Sequence, residues 1–386
     1  MSRWSRWLSA CCFACAAVIS PSVRAADDPP SVLADVFPPP EDQGGWKTLL
    51  PDSGIPDAAQ KLAIREQAKV DWDKLAKAWD YNAEAPGNTG FLVIRHGMIV
   101  GEWYRGGDKK TEYNIYSSSK AYTSTAFGLI LSDFGADASP GGRILMLDTK
   151  VCNSEWLPES LPLPDPRKAE ATVRNFLNMT SGLGTEAVPA KRPYEWSLGH
   201  VVGSPFAKLK GDPGKVFNYS NAGVAHLVLL FNHATGRDLY PFLKEKLFDP
   251  VGMKQVRWQQ VGGDGGIGPF SQGYSGIYTV PREHARFCQL ALHRGEWNGK
   301  RIVPDVYYDF AWKGTKVNPT YGAQWWVYPR WKEAPKDLVM TSGRNHNDGF
   351  VLPSKDLIFV RLGDGGEYPR DFENQLVKRV LASLLD

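Results

Sequence analysis

Strand-like segments lie near both ends of the 386-residue chain, whereas its middle third carries apolar residues at helical spacing. Two apolar runs, residues 91–94 and 98–104, flank the tight-turn sequence Arg95-His96-Gly97 and predict a β-hairpin. Further strand-like segments occupy residues 321–328, 338–341, 350–352 and 357–362. Helical spacing marks residues 172–177, 222–231, 239–247 and a final helix at about 371–385. This order predicts an α+β fold, an α/β sandwich in which both chain ends build an antiparallel sheet flanked by helices, with a mostly helical domain inserted between them.

The N-terminal 25 residues have the pattern of a Sec-type signal peptide. Arg3 and Arg6 precede the apolar stretch 8–19, and Val23-Arg24-Ala25 is a small-x-small cleavage site. We therefore expect cleavage after Ala25 and a periplasmic or secreted protein. A lipid anchor on Cys11 is the less favoured alternative, because little apolar sequence precedes that cysteine and the apolar run continues past it. No later segment approaches the length of a membrane span.

Composition sets the remaining boundaries. Residues 26–64 are rich in Pro, Asp and Gly and predict an irregular N-terminal extension. Residues 65–386 then form one domain, with helical spacing from residue 64 to 79. Its sheet part is expected at about 65–135 and 270–386, and the helical insertion at about 136–269.

Charge and cysteine content exclude some partners. Removing the signal peptide takes away three of the 45 basic residues and no acid, so 42 basic residues face 42 acidic ones. A balanced charge predicts no nucleic-acid partner. Only Cys152 and Cys288 remain in the mature chain, and we expect them to be free buried thiols.

Ser117 and Lys120 are the candidate nucleophile and base. On a helix, residues three apart lie on one face, with Cβ atoms about 5–6 Å apart. A serine hydroxyl needs an adjacent base, and a lysine serves only when burial or a neighbouring cation lowers its pKa. The uncharged, largely apolar sequence from residue 121 to 131 predicts that burial. Taken alone, Ser117 is explained almost as well as a helix cap.

Two further polar segments supply candidate partners. Tyr219 and Asn221 precede an apolar helix and, in extended backbone, point to the same side, where Tyr219 can relay a proton if the Lys120 ammonium lowers its pKa. Asn221 can contact Lys120 or a substrate. In the polar segment 341–349, His346 can bind substrate charge, and a strand-edge N–H can complete an oxyanion hole with the N–H of Ser117. Capping by Asn221 and a structural role for His346 are the plain alternatives.

In this order, Ser117-x-x-Lys120, Tyr219-Ser220-Asn221 and the segment 341–349 resemble the motifs of the penicillin-recognising serine hydrolases. The resemblance is to the class C β-lactamase-like family, with its esterases, D-amino-acid peptidases and 6-aminohexanoate-dimer hydrolases. Four other segments are similar to that family's "TVRHLLTHTSGL", "PGxxFxYSNxG", "PLGM" and "GGIxST" elements. They are residues 172–183, 213–223, 248–253 and 275–279. The similarity extends from about residue 85 to the C-terminus.

The resemblance implies a β-lactamase/transpeptidase-like fold and an exported serine hydrolase that cleaves a small ester, amide or short peptide through an acyl-enzyme. It makes Ser117 the nucleophile, Lys120 its base, Tyr219 the proton relay and Asn221 a substrate or lysine contact. His346 is assigned to the cation position, although the family shows K-T-G or H-x-G there.

Two alternatives remain open at this stage. One is a β-lactamase or D,D-peptidase, against which the acid Asp348 beside the site argues because it would repel a substrate carboxylate. The other is a catalytically inactive binding module on the same fold. No cofactor and no metal site are expected, because the mature chain has neither H-E-x-x-H nor C-x-x-C and no phosphate-binding glycine loop.

Overall fold

The computed structural model describes residues 36–137, 142–328 and 330–386. The predicted signal peptide, its cleavage site at Ala25 and Cys11 lie outside the described residues. Within them, no helix is both long and apolar enough to cross a membrane.

The described residues form ten α-helices and fourteen strands. The helices are α1 (Ala58–Ala68), α2 (Trp72–Glu84), α3 (Ser119–Gly128), α4 (Val173–Leu177), α5 (Pro193–Leu198), α6 (Asn221–Thr235), α7 (Leu239–Leu243), α8 (Pro281–Leu292), α9 (Asp305–Ala311) and α10 (Phe372–Leu381). The strands are β1 (Lys47–Thr48), β2 (Thr89–Arg95), β3 (Met98–Arg105), β4 (Tyr113–Asn114), β5 (Val256–Trp258), β6 (Gln260–Val261), β7 (Phe270–Ser271), β8 (Ile277–Thr279), β9 (Glu296–Trp297), β10 (Lys300–Arg301), β11 (Trp326–Val327), β12 (Val339–Thr341), β13 (Asp348–Leu352) and β14 (Leu357–Gly363).

The main sheet joins the two ends of the chain, as the sequence predicts. Its seven strands run in the order β1-β3-β2-β14-β13-β12-β11, and every neighbouring pair except β1 and β3 is antiparallel. The predicted hairpin is formed by β2 and β3, and β14 pairs with β2 over seven residues, with Phe359 opposite Val93. This pairing places the C-terminal strands beside the hairpin and confirms the predicted fold class.

Both faces of the sheet are covered. Side chains alternate along β2, so that Phe91 and Val93 pack in a core with residues of α1, α2 and α10, whereas Leu92 and Ile94 face a second core with residues of α3, α6 and α8. Every residue of β2 and β14 is buried. Two covered faces account for the nearly continuous apolar sequence of these strands.

The segment predicted to be irregular is more ordered than expected. Helix α1 begins at Ala58, inside the 26–64 range, and Lys47 and Thr48 pair with β3. Asp57 caps α1 through a capping box with Gln60, a start signal that the compositional argument overlooked. The segment 321–328 is, by contrast, less regular than predicted, because only Trp326 and Val327 of the predicted strand form a strand.

Other local predictions hold. Helix α6 ends at Thr235 and is closed by Gly236 in the left-handed region (φ 67°), as its position after the apolar run indicates. Cys152 and Cys288 are buried free thiols.

Candidate active site

The proposed nucleophile lies in a short turn that leads into a buried helix. Tyr116–Ser118 form a 3-10 turn, and α3 follows at Ser119 with every residue buried. The predicted helix therefore begins two residues later than expected, but the three-residue spacing still brings the two side chains together. Lys120 Nζ donates a hydrogen bond of 2.9 Å to Ser117 Oγ.

Lys120 has the environment that a lysine base requires. Its side chain is 0% exposed, and its Nζ also donates to the carbonyl oxygen of Tyr274 at 2.7 Å. Burial lowers the pKa of Lys120 from 10.5 to about 7. At neutral pH the amine is therefore neutral in a large fraction of molecules. The Tyr274 contact was not anticipated from the sequence, although residue 274 directly precedes the family-like segment 275–279.

Tyr219 lies over the same amine, but its predicted ionisation is wrong. Lys120 Nζ is 4.9 Å from the centroid of the Tyr219 ring. Burial raises the pKa of Tyr219 to about 12, against the opposing effects of a hydrogen bond with Ser117 and the charge of Arg330. The phenol therefore keeps its proton at neutral pH. It can donate that proton to a leaving group, and Lys120 is the better base.

Asn221 is the first residue of α6, and its neighbour Ser220, not Asn221, caps the helix by accepting from the N–H of Gly223. The plain alternative of capping by Asn221 is thereby excluded. Asn221 Oδ1 is buried and has no hydrogen-bond partner in the part of the chain that the structure describes. A buried acceptor without a donor is costly, and it becomes satisfied when a ligand supplies an N–H.

The polar segment 341–349 contacts, through its backbone, the turn that carries Ser117, called here the nucleophile turn. A Cβ added at Gly343 would come within 2.1 Å of the Ile115 carbonyl oxygen, so only glycine fits at this close approach. A second contact joins Ser118 Oγ to the carbonyl oxygen of Asn347 at 2.5 Å. By contrast, Gly349 faces Cys288 and His284. The glycine beside the nucleophile turn is therefore Gly343, a register that the sequence left undecided.

His346 has a different environment from the one expected of a free cation. Its Nδ1 lies 3.1 Å from Glu373 Oε1 and 3.6 Å from Asp348 Oδ2, and its ring packs edge-on against Tyr368. No hydrogen bond joins His346 to Ser117, Lys120 or Tyr219 within the described ranges. These are the contacts of a charge held between two acids.

The charges around His346 compensate one another. Burial alone would lower the pKa of His346, but Asp348 and Glu373 raise it to about 9. Burial would likewise raise the pKa of Glu373, yet His346 and Arg330 lower it to about 2. Asp348 is 1% exposed and accepts from the N–H of Gly343, so it does not face a substrate in the way the sequence suggested.

The same cluster brings together one imidazole and two carboxylates. Ligand atoms of His346, Asp348 and Glu373 lie within 4.8 Å of one another, the one such group among the residues described. Glu373 is already paired with Arg330 at 2.8 Å. The charges of the two carboxylates are thus compensated by Arg330 and His346 of the protein itself.

An aromatic wall adjoins Tyr219. The Trp326 ring stacks on Tyr219 with centroids 5.9 Å apart and planes 15° apart, and the Arg330 guanidinium lies 4.1 Å from the Trp326 centroid. Of the two adjacent tryptophans, Trp326 is partly exposed at this wall and Trp325 is fully buried in the core. Their opposite burial follows from the alternation of side chains along extended backbone.

Comparison with known proteins identifies the family and the fold of the chain. The family model described as Beta-lactamase matches residues 82–382, most of the chain. The chain therefore belongs to the beta-lactamase family, whose members are serine hydrolases that cleave ester or amide bonds. A search of curated protein sequences gives no match.

Solved structures share the fold at low sequence identity. EstCE1, a hydrolase with promiscuous acyltransferase activity, aligns with a TM-score of 0.61 and 16% identity over 80% of this chain and 99% of its own. A penicillin-binding protein homologue from Caulobacter crescentus gives 0.60 and 13% over 81% and 97%. The D-alanine carboxypeptidase AmpC from Burkholderia cenocepacia gives 0.59 and 17% over 81% and 98%.

Proposed function

We propose that this protein hydrolyses a small ester or amide through an acyl-enzyme on Ser117. The observation that carries the proposal is the 2.9 Å hydrogen bond between Ser117 Oγ and a buried lysine whose pKa lies at about 7. A base with a pKa near the working pH combines a large neutral fraction with useful basicity. Serine becomes a competent nucleophile under those conditions.

In the proposed acylation, neutral Lys120 takes the proton of Ser117 as Oγ attacks the substrate carbonyl carbon. The backbone N–H of Ser117 and one backbone N–H of the adjacent 343–347 turn stabilise the oxyanion. Tyr219 donates its proton to the departing oxygen or nitrogen and is reprotonated from Lys120. Water then attacks the acyl carbonyl, gives its proton to Lys120 and releases the acid, while the proton returns to Ser117. The net reaction consumes one water and leaves every enzyme group unchanged.

Asn221 supports a substrate that carries an amide. Its Oδ1, which has no partner among the residues that the structure describes, can accept an N–H from the acyl portion of the substrate, which would satisfy a buried acceptor. A family VIII carboxylesterase of the same fold supports the ester alternative. We therefore keep both bond types within the proposal.

The decisive test is Ser117→Ala, examined with a serine-directed fluorophosphonate. We expect the variant to lose labelling and the turnover of p-nitrophenyl acetate. The matched control is Ser124→Ala, which removes a buried serine of α3, the helix that follows Ser117, and should keep both. Labelling that persists in Ser117→Ala contradicts the proposal, and absence of turnover in the unmodified protein supports the inactive binding module.

A β-lactamase or D,D-peptidase is the second candidate. The objection raised from Asp348 does not apply in the structure, because that carboxylate is buried against the N–H of Gly343 and His346. AmpC from Burkholderia cenocepacia is a D-alanine carboxypeptidase of the same fold. A stable adduct with a fluorescent penicillin, absent in Ser117→Ala, would favour this candidate over a simple esterase.

We also propose that the protein is exported. The basic residues, apolar stretch and small-x-small site of residues 1–25 support this proposal. N-terminal sequencing of the protein expressed with its native leader should begin at Ala26. A cytoplasmic product that starts at Met1 would contradict it.

A further inference from the structure

Glu373, in the first turn of helix α10, contacts two segments that adjoin the proposed active site. Its side chain is 13% exposed. One oxygen accepts from Arg330 Nη2 at 2.8 Å, and the other lies 3.3 Å from Ser342 Oγ and 3.1 Å from His346 Nδ1. A single carboxylate thus has three protein partners, on two different segments.

The first of these segments leads to the proton donor. Arg330 lies over Trp326, and Trp326 stacks on Tyr219, whose ring centroid lies 4.9 Å from Lys120 Nζ. Arg330 also opposes the rise of the Tyr219 pKa through its charge. Its Nε is buried without a hydrogen-bond partner within the described residues, so Glu373 is the charged group that restrains the guanidinium.

The second segment leads to the nucleophile. Ser342 and His346 belong to the turn formed by residues 342–347. In this turn Gly343 packs against Ile115, and the Asn347 carbonyl oxygen accepts a hydrogen bond from Ser118 Oγ. Displacement of this turn would move its backbone N–H groups relative to Ser117. Their geometry matters because oxyanion donors act only when held in place.

We infer that Glu373 is a positioning residue, which holds the Arg330–Trp326 wall and the 342–347 turn in register with Ser117. This inference rests on the proposed function of the same site. Glu373 touches neither Ser117, Lys120 nor Tyr219 in the described structure, so it acts through the residues that it holds. Through Glu373, the proposed active site is connected to helix α10.

Protonated His346 is part of this arrangement, and several charged groups face it. Asp348 of β13 and Glu373 of α10 lie beside Nδ1, whereas Arg361 of β14 donates to the His346 carbonyl oxygen and to Tyr368. Arg330 reaches the cluster through Glu373. The two acids hold the pKa of His346 at about 9, so its pairing with Glu373 persists at neutral pH.

The test compares Glu373→Gln with Asp371→Asn. Both remove one negative charge from the start of the same helix, but Asp371 is exposed and its side chain bonds only Asn374 and Gln375 among the described residues. We expect Glu373→Gln to lower kcat for p-nitrophenyl acetate by ~10- to ~100-fold with little change in KM, as a small misplacement of catalytic groups does. The alkaline limb of its pH profile should move below 9, because His346 loses an anionic partner. Asp371→Asn should change neither quantity.

Two further variants each remove one partner of Glu373, so they test the Arg330 contact and the His346 contact separately. They also provide the test if Glu373→Gln folds poorly. Arg330→Met should reproduce the fall in kcat while the alkaline limb stays in place. His346→Gln should remove that limb. Unchanged kcat and unchanged pH limbs in Glu373→Gln, or in both of these variants, overturn the inference.

Fluorophosphonate labelling distinguishes this inference from the proposed function. If the unmodified protein fails to label at Ser117, the proposed function fails. If it labels and the Glu373→Gln kinetics match those of the unmodified protein, only the positioning role fails.

Discussion

Lys120 and His346 are basic side chains held in the same proposed site, and their surroundings give them opposite properties. Lys120 is fully buried with a hydroxyl and a carbonyl as hydrogen-bond partners, and burial lowers its pKa to about 7. His346 is also largely buried, but Asp348 and Glu373 reverse the effect of burial and raise its pKa to about 9. The presence of neighbouring acids therefore decides whether a buried cation serves as a base or as a permanent charge.

Lys168 shows that burial alone does not define a catalytic lysine. Burial lowers its pKa to about 8, and its Nζ donates to the Leu198 carbonyl oxygen. No serine hydroxyl is among the hydrogen-bond partners of its Nζ within the described residues. What distinguishes Lys120 is the nucleophile at 2.9 Å.

The largest effect is expected on removing the base. Lys120→Met should lower the rate of acylation by ~1,000-fold or more, because the hydroxyl loses its proton acceptor. Lys120→Arg should be equally inactive, because a guanidinium does not deprotonate in proteins. Stopped-flow release of p-nitrophenol measures the rate, and Lys168→Met is the matched control. A Lys120→Arg variant that retains the full rate would remove the distinction between the two cations.

A smaller loss is expected from Tyr219→Phe. Without a proton donor to the leaving group, kcat should fall by ~100-fold, within the usual range for general acid catalysis. The acid limb of the profile should stay in place, because the pKa of Tyr219 lies at about 12 and that of Lys120 at about 7. An acid limb that moves in this variant would assign the limb to Tyr219.

The pH profile of the unmodified protein tests both halves of the comparison. Acylation should increase as pH rises through about 7, when Lys120 loses its proton, and decrease near 9, when His346 loses its proton. His346→Gln should cost only ~10-fold in kcat/KM, because it displaces the turn without removing a reacting group. It should keep the acid limb and lose the alkaline one. If the acid limb disappears instead, His346 is the base.

The smallest effect concerns stability. The folded pKa of His346 lies above its ordinary value of 6.5, so its stabilisation is complete below pH 6.5 and is lost as pH rises through about 9. For this partly screened group we expect a loss of about 1–2 kcal/mol between those limits. Urea denaturation of the unmodified protein and of His346→Gln at pH 6 and pH 10 gives the difference. A difference that is the same at both pH values contradicts the expected ion pairing.

Much of the fold is local enough to be predicted. The β2–β3 hairpin, the strand β14 and the helix α6 with its cap Gly236 follow from side-chain periodicity and turn residues. The first half of α1 was missed, because residues 58–63 lie in a segment whose composition is that of a surface extension, although a capping box marks the start of the helix. The strand predicted at 321–328 proved too long because only two of its residues find a partner strand.

The candidate site divides in the same way. Ser117 and Lys120 are three residues apart in one turn, so local backbone geometry brings them together whatever the rest of the chain does. Tyr219 and Asn221 follow from a resemblance to known motifs. Glu373 and Arg330 were not predicted, because no spacing in the sequence connects them to Ser117 and each is an ordinary charged residue by itself.

The sequence by itself identified Ser117 and Lys120 as the candidate nucleophile and base, the order of the main strands and helices, and the resemblance to the family. Only the tertiary structure decided which cation is a base, that Tyr219 stays protonated, and that Gly343 is the glycine beside the nucleophile turn. The physical reason is that a pKa depends on burial and on charges from every element packed around the group. Those elements, α10 among them, meet Ser117 and Lys120 only after the chain has folded.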